Sequence, residues 1–127
     1  MKRFVVIIFL SGFFLPAAAQ RDPVITESIS RISADSIESY ILKLVSFETR
    51  HNLSTRHDPD TGIGAACEWL CRKASSYIPD SKGRLTVEKV PYTVGGAGTR
   101  LEREVRLNNV MAVLRGTGSR EIVLLAH

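Results

Sequence analysis

Glu121-Ile122-Val123-Leu124-Leu125-Ala126-His127 is the stretch on which the fold turns. A short apolar run, entered from the turn residues Gly116-Thr117-Gly118-Ser119, reads as a fully buried strand of a parallel sheet. In open α/β sheets, ligands and metals collect just outside the carboxyl ends of such strands. His127 stands at that end, and neutral imidazole is the commonest metal ligand. A central strand needs neighbours on both sides, and a metal site needs more than one ligand. The expectation is the front part of an enzyme, truncated after its first central strand.

Working back from this run, Val105 to Leu114 reads as a second strand and Arg84 to Val94 as a third, joined through the glycine-rich turn Gly95-Gly96-Ala97-Gly98. Together they predict an antiparallel hairpin at one side of the sheet. The apolar alternation of the earlier strand changes phase next to Pro91, which predicts a bulge or an edge position there. Two helices precede the hairpin. Ile37, Tyr40, Ile41, Leu44 and Val45 recur at helical spacing, with Ser33 or Asp35 as cap and an end near Phe47. After a loop from Glu48 to Thr61, a second helix runs from Gly62, capped by Thr61, to about Tyr77. Pro79 stops it. Its apolar face is read as Ile63, Cys67, Leu70, Cys71, Ala74 and Ile78. Trp69 is assigned to the opposite face with Arg72 and Ser76, against a segment not present in this sequence. The fold class predicted is α/β, a mixed central sheet flanked by helices.

The N-terminus carries an address. Met1-Lys2-Arg3 is basic, Phe4 to Leu15 is an apolar run of 12 residues, and Pro16-Ala17-Ala18-Ala19 supplies small residues. That is the layout of a secretory signal peptide over residues 1–19, cleaved between Ala19 and Gln20. The run falls short of the ~20 residues a membrane span requires. The expectation is an exported protein, periplasmic or extracellular, with no membrane anchor after cleavage. Residues 20–31 read as a polar linker with at most a short helical turn, and residues 32–127 as the N-terminal portion of a catalytic domain. Losing Lys2 and Arg3 from the 17 basic residues leaves 15 against 13 acidic ones, a net charge of +2. These charges are scattered, with no basic stripe interleaved with aromatics, so nucleic acid is not an expected partner.

Other candidates for chemistry carry less. His51 and His57 could be strung with Cys67 and Cys71 into a four-ligand zinc site. The spacing fits no zinc finger, and a helix would direct both thiols into the core. The two cysteines, four residues apart, read as small core thiols rather than a disulfide. Arg50 reads as a loop-fixing arginine that binds backbone carbonyls, with a carboxylate clamp as the alternative. No Gly-x-Ser-x-Gly elbow, phosphate loop or His-Glu-x-x-His occurs.

Three stretches in order resemble one known family. They are Leu44-Val45-Ser46-Phe47-Glu48-Thr49-Arg50 followed by Gly62-Ile63-Gly64-Ala65-Ala66 and Trp69; Asn108-Asn109-Val110-Met111-Ala112-Val113-Leu114-Arg115-Gly116; and Glu121 to His127. The chain from Ile32 onward resembles the start of the catalytic domain of di-zinc exopeptidases. That group holds secreted bacterial aminopeptidases and their glutamate-carboxypeptidase and glutaminyl-cyclase relatives. The resemblance implies a peptide substrate and two zinc ions about 3.5–4 Å apart that activate a bridging water. It implies that His127 is the first zinc ligand. The family's later aspartate, bridging carboxylate, glutamate pair and final histidine have no counterpart in this sequence. The 127 residues alone are therefore expected to be inactive, and with an uncovered apolar strand to fold poorly. A glutaminyl-cyclase or carboxypeptidase relative of the same fold is the nearest alternative reading. A non-catalytic exported binding module is the more distant one.

Overall fold

The computed structural model describes residues 22–126. The signal peptide read over residues 1–19 and the metal ligand read at His127 lie outside the described residues. Two compact units divide the chain, residues 1–34 and 35–127.

In the first unit, within the stretch read as a linker, helix α1 spans Pro23–Ser30. Its start was written in the sequence. Asp22 accepts a hydrogen bond from the Val24 N–H at 2.8 Å, and Pro23 occupies the first turn, where its missing N–H costs nothing. Arg31 pairs with Glu27 one turn back at 2.6 Å, an exposed pair of small energetic weight. None of the residues of α1 is buried.

The second unit holds helices α2 (Ala34–Val45, its first residue at the unit boundary) and α3 (Gly62–Ser75) and strands β1 (Leu85–Val94) and β2 (Val105–Leu114). Asp35 lies inside the first turn of α2, where a carboxylate favours the helix dipole, rather than at the cap. Past Ser46 and Phe47, Glu48 takes a left-handed conformation at φ 57° and turns the chain away. The helical part of α3 ends before the predicted Tyr77. A turn intervenes, and Pro79 then opens a 3-10 turn, Pro79–Ser81.

The core cluster is small: Phe47, Ala65 and Ala66 are buried, with Leu44 and Trp69 packed against them. This corrects the face assigned to α3. The stripe that meets α2 is Gly62, Ala65, Ala66 and Trp69, at the helical spacing i, i+3, i+4, i+7. Trp69 therefore packs on Tyr40 and Phe47, both within this chain. The small side chains of Ala65 and Ala66 leave room for the Phe47 ring, whose burial contributes on the order of 1.5–3 kcal/mol. Cys67 and Cys71, half-buried, are both free thiols, and Leu70 is exposed. Along α2, Ile37, Ile41, Leu42 and Val45 remain exposed.

The hairpin is as predicted. β1 and β2 pair antiparallel from Leu85 with Leu114 to Val94 with Val105. The register runs one-to-one through Pro91, opposite Asn108, so there is no bulge at the proline. Its ring is accommodated as an edge residue, because a two-stranded sheet leaves each strand one open side. Val105 and Leu107, two apart on β2, form a further buried patch. Helix α3 is tied to both strands. Glu68 pairs with Lys89 of β1, and the Cys67 thiol points its weak donor at the Asn108 carbonyl of β2, 3.9 Å away.

The predicted central strand is not formed. Glu121 to Ala126 has no ladder partner among the described residues, and Ile122, Leu124 and Leu125 are 87%, 91% and 93% exposed. The sheet is two-stranded and antiparallel rather than the mixed central sheet expected. The physical reason is that strand structure is cooperative with pairing: a run of β-forming residues takes up ladder geometry only beside a neighbour. The described residues form a small α/β assembly of three α-helices and one hairpin, and no described helix is long and apolar enough to cross a membrane.

Candidate functional site

The loop between α2 and α3, residues 48–61, carries most of the polar side chains singled out from sequence. Its far end is laid against the start of α3. The Gly62 N–H donates to the Phe47 carbonyl at 2.8 Å, the Ile63 N–H to the Ser54 hydroxyl at 3.0 Å, and the Gly64 N–H to the Thr55 carbonyl at 3.2 Å. With the Thr61 N–H donated to the Asp58 carboxylate, all four donors a helix start leaves open are satisfied by the chain itself. Thr61, expected as the cap, makes no side-chain cap bond. Ser54 supplies it from nine residues earlier.

The two glycines make this docking possible. A Cβ on Gly62 would lie 2.4 Å from the Thr55 carbonyl oxygen, and one on Gly64 would lie 2.3 Å from that of Arg56. Gly62 also has φ +80°, a conformation side chains rarely adopt. The pattern Gly62-Ile63-Gly64 is the sequence trace of a loop pressed on a helix.

Within the loop, His51 is a structural residue: its Nδ1 accepts from the Leu53 N–H at 2.9 Å. Asp58 closes the next turn by accepting from the N–H groups of Asp60 at 2.8 Å and Thr61 at 2.9 Å. Those two backbone hydrogen bonds, Asp60 first and then Thr61, hold its carboxyl below the usual carboxylate range. Arg50, expected to fix the loop, makes no hydrogen bond among the described residues. His51, Ser54 and Asp58 do that work instead.

His51, His57, Cys67 and Cys71 do not come together as a metal site. Among the described residues no group of three or more His, Cys, Asp or Glu side chains could hold a metal ion. The described residues thus do not by themselves fit a zinc centre. The Cys67 thiol is pushed up from its ordinary value, chiefly by burial and next by the charge of Glu68.

One small cleft brings polar groups together. Arg56 of the loop, Ile63, Gly64, Cys67 and Glu68 of α3, and Arg106, Leu107 and Asn108 of β2 surround about 60 Å³. Neither arginine was singled out from sequence. Each stands alone among ordinary neighbours, and only the fold brings residues 56 and 106 to one place.

No family model matches the chain, and no solved structure matches it. Curated proteins do. A protein of Leptosphaeria maculans is 41% identical over 112 residues, covering 88% of this chain and 25% of that protein. One of Pyrenophora teres f. teres is 43% identical over 97 residues, covering 76% and 21%. One of Pyricularia oryzae is 37% identical over 95 residues, covering 75% and 19%. All three relatives are named probable zinc metalloprotease. The chain spans about a quarter or less of the length of these relatives.

Proposed function

We propose that this chain is part of a zinc-dependent metallopeptidase, exported, acting as an aminopeptidase on peptide substrates. The observation that carries the first element is the 37–43% identity, over three quarters or more of the chain, to fungal proteins named as probable zinc metalloproteases. The finer reading, removal of residues from peptide N-termini with two zinc ions and His127 as one ligand, is supported by the resemblance of the three sequence stretches to di-zinc exopeptidases. Export is supported by the layout of residues 1–19.

No catalytic step is assigned to a described residue. Their role in this reading is framework. The α2–α3 pair and the hairpin form a platform from which Arg115 to Ala126 leads to His127.

The test is made on the full-length protein. Purified as expressed, it should contain zinc by elemental analysis. It should release amino acids from peptides with a free N-terminus, lose activity to a chelator and regain it with zinc. His127→Ala should lower both zinc content and activity, the latter by more than ~100-fold, since even supporting residues of metal sites cost 10–100-fold. A zinc-free protein indifferent to chelation would overturn the metallopeptidase reading. Cyclisation of N-terminal glutamine without release of an amino acid, or cleavage at the carboxyl end, would overturn the aminopeptidase reading alone.

A further inference from the structure

We propose that Asn52, in the turn that follows α2, is an acceptor for an N-linked oligosaccharide. Asn52-Leu53-Ser54 has the acceptor pattern: an asparagine, a residue other than proline, and a hydroxyl side chain. The fold gives this short pattern its weight. The Ser54 N–H donates to the His51 carbonyl at 2.9 Å, which closes a turn with Asn52 and Leu53 at its centre. Asn52 is exposed there, and its carboxamide makes no hydrogen bond among the described residues. Asparagine in a turn commonly bonds the backbone two residues on. Here other groups do so: His51 Nδ1 accepts from the Leu53 N–H at 2.9 Å, and the Ser54 hydroxyl donates to the His51 carbonyl at 2.8 Å. The Asn52 amide is thus surplus to the turn that displays it. The other asparagines, Asn108 and Asn109, lie in β2 and have Val110 and Met111 where the hydroxyl would stand.

The donor is an oligosaccharide carried on a polyisoprenyl diphosphate. Asn52 Nδ2 attacks C1 of the first sugar, and the N–C bond forms as the bond from C1 to the diphosphate oxygen breaks. The bonding pair leaves with the lipid diphosphate, one amide proton passes to solvent, and nothing is oxidised or reduced. The transferring enzyme reads the hydroxyl two residues on, and in the folded chain that hydroxyl is engaged. Ser54 Oγ accepts from the Ile63 N–H at 3.0 Å while it donates to the His51 carbonyl. Transfer therefore precedes the docking of the loop on α3. Afterwards the same hydroxyl caps the helix, and the glycan stands in solvent on a polar turn, where such a bulky group belongs. The site rests on the export proposed from residues 1–19, because the chain must enter a secretory compartment before it folds. It does not depend on the metal or on the peptidase chemistry.

The test is secretion of the full-length protein from a eukaryotic host, once behind its own residues 1–19 and once behind a heterologous secretion leader. Peptide mapping by mass spectrometry, before and after peptide-N-glycosidase, reads residue 52. A glycan there with either leader, released with conversion of Asn52 to aspartate, is the expected result. Glycosylated protein behind the heterologous leader, with nothing secreted behind residues 1–19, would sink the export reading and leave the acceptor site standing. Asn52→Gln should lose the glycan at this position completely. Because the Asn52 side chain holds nothing in the fold, this variant should melt where the enzymatically deglycosylated parent does. Ser54→Thr keeps the hydroxyl and should keep the glycan, whereas Ser54→Ala should lose it. An unmodified Asn52 in protein secreted behind the heterologous leader would overturn the proposal, as would a glycan at residue 52 that survives Ser54→Ala at the parental level.

Discussion

Trp69 stands edge-on to Tyr40, with ring centroids 6.1 Å apart and planes inclined at 65°. It meets Phe47 at the same centroid distance and 53°. One aromatic side chain of α3 thus spans the C-terminal half of α2, in the geometry that aromatic quadrupoles favour. Trp69→Ala should destabilise the protein by roughly 2–3 kcal/mol, below the ~3–5 of a fully buried aromatic because Trp69 keeps part of its surface in water. Trp69→Phe should cost less than half of that. Denaturant unfolding of the full-length protein measures both. Equal loss in the two variants would mean that the ring itself contributes nothing.

The loop docked on α3 predicts a steric penalty at positions where glycine would otherwise be a weakness. Replacing a helical glycine by alanine ordinarily stabilises. Gly64→Ala should instead destabilise by about 1–3 kcal/mol, since its new methyl meets backbone that cannot swing aside. Gly62→Ala should be at least as damaging, adding a positive φ to the clash. Faster hydrogen exchange at the Ile63 and Gly64 amides would locate the effect. A raised melting temperature in either variant would contradict it.

Asp58 predicts an acid sensitivity. Its folded pKa lies below the ordinary 3.8, so its contribution is fully present above pH 3.8 and is lost as pH falls through the lower folded value. Asp58→Ala should lower the melting temperature at neutral pH, and the gap to the parent should narrow below pH 3.8. Asp58→Asn keeps an acceptor oxygen for the Asp60 and Thr61 amides and should fall between the two at neutral pH.

Tyr77 predicts a shift at the alkaline end. Its hydroxyl lies 3.0 Å from that of Tyr40, and the Lys73 ammonium sits 5.0 Å from its ring centroid and 5.1 Å from that of Tyr40. The Tyr40 hydrogen bond first, and Lys73 second, bring the Tyr77 phenol below its usual 10.0. Phenolate absorbance during a pH titration should therefore show one tyrosine ionising early. Tyr40→Phe should move that tyrosine back toward 10.0 more than Lys73→Met does.

What the sequence disclosed follows from how local each signal is. The β1–β2 hairpin and the extents of α2 and α3 were legible because alternation, helical spacing and turn residues act within a few positions. The face of α3 was not. Ala65, Ala66 and Gly62 rank low in hydropathy beside Leu70 and Ile63, yet the Phe47 ring and the docked loop need small residues beneath them. The start of α1 was present as Asp22-Pro23 but was outweighed by polar composition. The Ser54 cap could not be found by looking next to the helix it caps. That Arg56 and Arg106 line one cleft could not be read without the fold. The run Glu121–Ala126 has the composition of a strand, but composition supplies no partner.

The contacts at the start of α3 also dictate where this protein can change length. Ser54 and Thr55 are held in register with Ile63 and Gly64, so the chain between them is pinned at both ends. An insertion has to be absorbed at residues 57–60, where the turn faces solvent. A deletion there would draw Thr55 off Gly64 and open the helix start. Residues added to the His57–Asp60 turn would give up the Asp58 contacts to Asp60 and Thr61 while leaving Ser54 and Thr55 on the start of α3.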